Sequence, residues 1–136
     1  MSVIVTDNGF AADDWTSGFT SPEGRAANDC GHGVDLPSHA DPARLKALLT
    51  TPMIRVAFPS FADGRGFTLA ALLRQAGYAG RLRAHGHVLA DQYAMARRSG
   101  FDEVEISEDL AARQPEPQWL ARADWQNHNY QARLRG

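Results

Sequence analysis

Acidic and guanidinium side chains recur where short apolar runs of this chain end. In Ile54-Arg-Val-Ala-Phe-Pro-Ser-Phe-Ala-Asp-Gly-Arg-Gly-Phe67 an apolar run breaks at Pro59 and delivers Asp63-Gly64-Arg65-Gly66 just before an amphipathic segment. A guanidinium grips an oxyanion through two parallel N–H bonds, glycines let backbone approach a ligand, and helix-opening amides favour an anion. Asp63 would then orient Arg65 or accept a ligand proton. The same four residues equally make an Asp-Gly turn closed by an Asp63–Arg65 ion pair. They are not a phosphate loop, because the spacing differs and no Lys-Ser/Thr follows.

A second cluster, Arg83-Ala-His85-Gly86-His87, ends another apolar run. In extended geometry Arg83, His85 and His87 share a face. A His-x-His pair can begin a metal site, with Asp63, Asp91 or Glu105 as further ligands, or it is a polar strand-to-helix turn. No complete ligand set is evident, so no metal is expected. Asp91 and Gln92 follow in the next helical segment; Asp91 faces the same crevice or only complements the helix dipole. Cys30-Gly31-His32 lies among turn-formers and reads as a spectator.

These residues need an α/β scaffold. Val3-Ile4-Val5 reads as a strand that Asn8-Gly9 turns into a hairpin, and Thr16 to Ser38 reads as loop. Asp41 and Pro42 signal a helix bearing Leu45, Leu48 and Leu49, stopped by Pro52. Strands at Met53–Phe58, Arg81–Ala84 and Val104–Ile106 alternate with helices at Phe67–Ala76 and Val88–Ser99, and Ser107 caps a short helix through Arg113. Pro115 and Pro117 break that helix before a segment around Trp119, Leu120 and Trp125. Gly77-Tyr78 and Gly100-Phe101 each end a helix and precede a strand, the glycine turning the backbone while the aromatic covers the helix end. Short connections imply parallel pairing. The expected fold is a βαβαβ core over residues 53–107, an open sheet or half-barrel, within one domain spanning 1–136. An N-terminal hairpin, a loop-rich segment to residue 39 and C-terminal helices surround it. An exposed sheet edge would suit cover by a second subunit.

Apolar content of 43% and charged content of 22% fit a globular protein, and a formal net charge of -2 gives no nucleic-acid footprint. No apolar run approaches membrane-spanning length, and the single cysteine fits a reducing, cytoplasmic compartment. Neither a Gly-x-Gly-x-x-Gly fingerprint nor a cysteine cluster is present, so no cofactor is expected.

The run from Phe58 to Arg74, with Gly80 to Gln92, Arg98 to Asp102 and the terminal Tyr130-Gln131, resembles the bacterial family catalogued as domain of unknown function 934. Asp63, Gly64, Arg65, Gly66, Arg74, Arg83, Gly86, Asp91 and Gln92 match its characteristic residues. His85 and His87 depart from it, since the resemblance implies an apolar residue and an aspartate there. Ser99 stands where many relatives carry cysteine, against a thiol-based role. The resemblance also implies a place beside assimilatory sulfite reductase or the sulfonucleotide reductase. The resulting expectation is a cytoplasmic accessory of sulfate and sulfite reduction. It would bind an oxyanion at the strand carboxyl ends through Asp63, Gly64, Arg65, Gly66, Arg83, Gly86, Asp91 and Gln92. Two alternatives are a docking module for sulfite reductase using Phe61 and Phe67 as exposed anchors, and an enzyme acting on a sulfur or phosphate ester with Asp63 or Asp91 as base.

Overall fold

The computed structural model describes residues 2–22 and 31–123. Seven strands form one mixed sheet: β1 (Ser2–Thr6), β2 (Gly9–Ala11), β3 (Phe19–Thr20), β4 (Gly33–Leu36), β5 (Met53–Phe58), β6 (Arg81–Gly86) and β7 (Glu103–Ser107). Their order is β2-β1-β7-β6-β5-β4-β3. Strands β3 to β7 pair in parallel, and the hairpin β1–β2 adds an antiparallel edge against β7. The fold is α/β, with the expected strand–helix–strand core at its centre.

Three expectations need correction, the third at the start of the helix expected from Val88. The stretch 16–38 contains β3 and β4, not loop alone. Local composition there is turn-forming, but Val34 to Leu36 pair along β5, and that partner lies some twenty residues downstream. The leucine-bearing segment after Asp41 is a 3-10 helix, Pro42–Leu48. Asp41 Oδ1 accepts the Ala43 amide at 2.9 Å, and the Arg44 amide bonds the Asp41 carbonyl at 3.0 Å.

Among the described residues four α-helices follow: α1 (Arg65–Gln75), α2 (Tyr93–Ser99), α3 (Glu108–Arg113) and α4 (Glu116–Leu120). The start expected for α2 at Val88 is instead irregular backbone and a 3-10 turn at Ala90–Gln92. Helices α1 and α2 end alike. After positive-φ Gly77 and Gly100, the amides of Tyr78 and Phe101 reach back five residues to the carbonyls of Leu73 and Ala96, each at 3.0 Å. Both aromatics are buried. Arg74 ties the two ends together: Nε donates to the Gly100 carbonyl, Nη1 to those of Tyr78 and Gly80, and Nη2 to Asp102 Oδ2, all at 2.9–3.0 Å. Trp125 and the Tyr130-Gln131 pair lie outside the described residues, as does Cys30.

The sheet has two unlike faces. Alternate residues Val34, Leu36, Ile54, Val56, Leu82, Ala84, Val104 and Ile106 join Leu45, Leu48, Leu69, Leu73, Tyr93, Ala96, Leu110 and Trp119 in one apolar core. Every described helix thus packs on this side. The other alternation presents Asp35, Arg55, Arg81, Arg83, His85, Glu103 and Glu105 in neighbouring register. The chain before β3 crosses that charged face.

Candidate functional site

Arg83 sits at the middle of the charged face, wholly buried. Its Nε donates to Glu103 Oε2 at 2.6 Å and its Nη1 to Glu105 Oε1 at 2.9 Å. Nη2 lies 3.1 Å from Asp13 Oδ1 without an aligned hydrogen bond. Arg81 grips Glu103 through Nε and Nη2 and pairs with Asp14. Arg55 holds Asp35 in a two-pronged grip at 2.6 and 2.9 Å and reaches Glu105 at 3.0 Å, its guanidinium 3.9 Å above the Phe19 ring. Burial pushes the Glu105 carboxyl up, but hydrogen bonds from Ser2 and Arg55, with His85 and Arg83 nearby, hold it below its ordinary value. Five carboxylates and three arginines therefore lock the chain before β3 onto the sheet. Asp13, Asp14, Asp35, Arg55, Arg81 and Glu103 were given no functional role from the sequence. Their signal was available: charges spaced two apart in successive strands, cationic in Arg81-x-Arg83 and acidic in Glu103-x-Glu105.

The expected partnership of Arg65 with Arg83 is not formed. Arg65 opens α1 at the rim beyond β5, where its Nε and Nη2 fork onto Asp63 at 3.0 and 2.8 Å and Nη2 also donates to Ser38 Oγ at 3.1 Å. The fork and the Arg65 amide hold Asp63 well below the usual carboxylate range. This pair borders a mostly apolar cavity of about 330 Å³ with Ser38, His39, Pro42, Thr68 and Leu69. Arg83, by contrast, bonds only within the charged face, because its position in β6 points it away from the helices.

The glycines divide as well. A Cβ on Gly66 would meet the Phe58 ring at 2.5 Å, and one on Gly86, at φ 115°, would meet the Phe58 carbonyl at 2.7 Å. Both admit close packing between elements, whereas Gly64 has open space. Asp91 is exposed and pairs with Arg122 at 2.9 Å. Gln92 accepts the Leu89 amide at 2.8 Å and donates to the Phe61 carbonyl at 3.1 Å, so it fixes the loop that carries Phe61. Phe61 is exposed; Phe67 packs inward, 4.9 Å from Phe58 between ring centres.

A second rim cavity, about 300 Å³, opens at the carboxyl ends of β6 and β7. It is lined by His85, Gly86 and His87 from the end of β6, by Ser2 and Ser107, by Leu110 and Arg113 of α3, and by Phe61. His87 is held twice by one carbonyl: its backbone N–H and its Nδ1 lie 3.0 and 3.2 Å from the Phe58 oxygen. Its ring meets Phe61 edge-on at 4.9 Å. His85 Nε2 lies 3.6 Å from Glu105 Oε2. Burial draws the His85 imidazole below the ordinary histidine value, and Glu105 only partly opposes this. Arg113 makes no hydrogen bond or ion pair among the described residues, unlike Arg55, Arg65, Arg74, Arg81 and Arg83. Among the described residues no three His, Cys, Asp or Glu side chains gather as metal ligands. None of the described helices is long and apolar enough to cross a membrane.

The family model described as bacterial protein of unknown function (DUF934) matches residues 33–136, more than half of the chain. The chain belongs to this family. The match to DUF934 begins at the first residue of β4, so the parallel strands β4 to β7 and both rim cavities lie largely within it. Asp13, Asp14 and the β1–β2 hairpin precede it. Comparisons with curated proteins and with solved structures each found no match.

Proposed function

We propose that this protein binds a small oxyanion in the cavity at the carboxyl ends of β6 and β7. The binding serves assimilatory reduction of sulfate or sulfite, beside the sulfite or sulfonucleotide reductase that the family resemblance implies. The carrying observation is Arg113, a guanidinium on a cavity wall without an anionic partner among the described residues. Ligands of parallel sheets gather beyond the strand carboxyl ends, which is where this cavity lies. Ser107 supplies a hydroxyl donor, Gly86 brings the strand end close, and Gln92 steadies the Phe61 loop at the mouth. Asp63 and Arg65 instead close the neighbouring rim turn beside Ser38 without meeting the anion, Gly64 leaving the turn room and Gly66 seating Phe58. Arg83 and Asp91 take no direct part.

A charge-assisted hydrogen bond contributes about 1.5–3 kcal/mol. Calorimetric titration with sulfite and with sulfate should therefore show roughly ten- to hundredfold weaker binding of the preferred anion in Arg113→Met. Arg65→Ala should retain the wild-type affinity. Equal affinity in wild type and Arg113→Met would remove the anion role of Arg113, and loss in Arg65→Ala alone would move the site to the other rim cavity.

A further inference from the structure

In the β6–β7 cavity the proton of one imidazole is placed by a hydrogen bond and that of the other is biased by a nearby carboxylate. A carbonyl oxygen only accepts, so His87 Nδ1, 3.2 Å from the Phe58 oxygen, carries the hydrogen. In the neutral ring Nε2 is then a lone-pair acceptor. His85 presents Nε2 to Glu105 Oε2 at 3.6 Å. That carboxylate is kept ionised by Arg55 and Arg83, which favours the hydrogen on Nε2 and the lone pair on Nδ1. The cavity lining thus combines one guanidinium and two serine hydroxyls with two imidazoles.

A fully deprotonated oxyanion meets such a wall badly. Its oxygens accept from Arg113 and Ser107, but any oxygen turned towards an imidazole lone pair is repelled unless that ring first takes a proton. An oxyanion that brings its own hydrogen satisfies both kinds of group, donating to an imidazole while accepting from Arg113. We infer that this cavity selects proton-bearing oxyanions, of the hydrogenphosphate or hydrogensulfite class, over proton-free sulfate. The inference rests on the oxyanion reading above and names the ligand class for that site.

The surroundings of His85 favour its neutral ring. His85 sees Glu105 on β7, Arg83 on β6, Arg55 on β5 and Asp35 on β4, and its burial disfavours the charged ring. His87 faces the Phe58 carbonyl and the Phe61 ring. Helix α3 contributes Arg113 to the lining of the same cavity.

Inorganic phosphate and sulfate, nearly equal in size and shape, are the probes. Titration calorimetry of the full chain at neutral pH and matched ionic strength should show phosphate binding at least tenfold tighter than sulfate. The ratio should fall towards one in His87→Phe, which keeps a ring against Phe61, or in His85→Leu. Equal affinity of the wild type for both anions overturns the selectivity and leaves the oxyanion site standing. Binding of neither phosphate, sulfate nor sulfite overturns both. A preference unchanged by either substitution removes it from the imidazoles. Should the variants fail to fold, wild-type sulfate affinity must rise severalfold as pH falls through the imidazole range; a flat profile refutes the inference.

Discussion

Replacing Arg83 by methionine tests whether this arginine holds the fold or meets a ligand. The substitution keeps most of the aliphatic stem and deletes a guanidinium 2.6 Å from Glu103 and 2.9 Å from Glu105, whose side chains are only 7% and 4% exposed. Removing one partner of a buried ion pair typically costs about 3–5 kcal/mol, because a charge is left in low dielectric. Glu103 keeps Arg81 and Glu105 keeps Arg55, so the lower end, about 3 kcal/mol, is expected. With a urea slope of about 1–3 kcal/mol per molar, the unfolding midpoint should fall by roughly 1–3 M. The pH dependence has a definite sign. Glu105 has a lowered folded pKa, so its stabilisation is present above its ordinary value of 4.5 and is lost as pH falls through the folded value. Without Arg83 that folded value rises. The deficit relative to wild type should therefore be largest near neutrality and shrink below about pH 4.5, where a protonated glutamic acid needs no cation. Adding Glu105→Leu should recover part of the loss, since an apolar replacement of a buried pair is often neutral or better. A deficit below about 1 kcal/mol, or one that grows on acidification, would refute the buried-network account. Lost anion binding with unchanged stability would return Arg83 to the ligand.

Two further substitutions address the scaffold. Arg74→Ala strands the carbonyls of Gly100, Tyr78 and Gly80 at the ends of α1 and α2, and should lower stability by about 2–3 kcal/mol; an unchanged melting temperature would show that water replaces the clamp. Gly86→Ala forces a side chain into a left-handed φ and against the Phe58 carbonyl, a strain of about 1–3 kcal/mol before the clash is relieved. Gly64→Ala, with open space around it, serves as the comparison, and equal chemical denaturation curves for the two variants would contradict the packing described for β5 and β6.

Periodicity carried far in this chain where neighbours in sequence decide the outcome. Strands β5, β6 and β7, the Asn8-Gly9 hairpin, the Asp41 cap and the paired glycine–aromatic helix ends all follow from residues within about six positions of one another. The two-residue spacing of Arg81, Arg83 and His85 likewise defines a polar strand face. Strand β4 escaped that logic because Gly33 to Leu36 has too few residues to declare itself and is held by pairing with β5. Helical character from Val88 was similarly overridden by the turn that leads from Gly86 into α2.

The sequence alone determined the α/β alternation and which side chains are charged at the ends and along the faces of the strands. Tertiary structure decided which of those charges meet. Arg83 lies within reach of Glu103 and Glu105 only because β6 and β7 are in a particular parallel register, and Asp13 joins them across a gap of seventy residues. Arg65 lies across the rim from that network, beside Ser38. Arg113, His85 and His87 share a cavity because α3 packs on β7 and β1 beside the end of β6. Local steric and hydrogen-bond preferences act over a few bonds and can be read in order along the chain; ion pairs and cavities depend on separations in space, which only packing of the whole sheet sets.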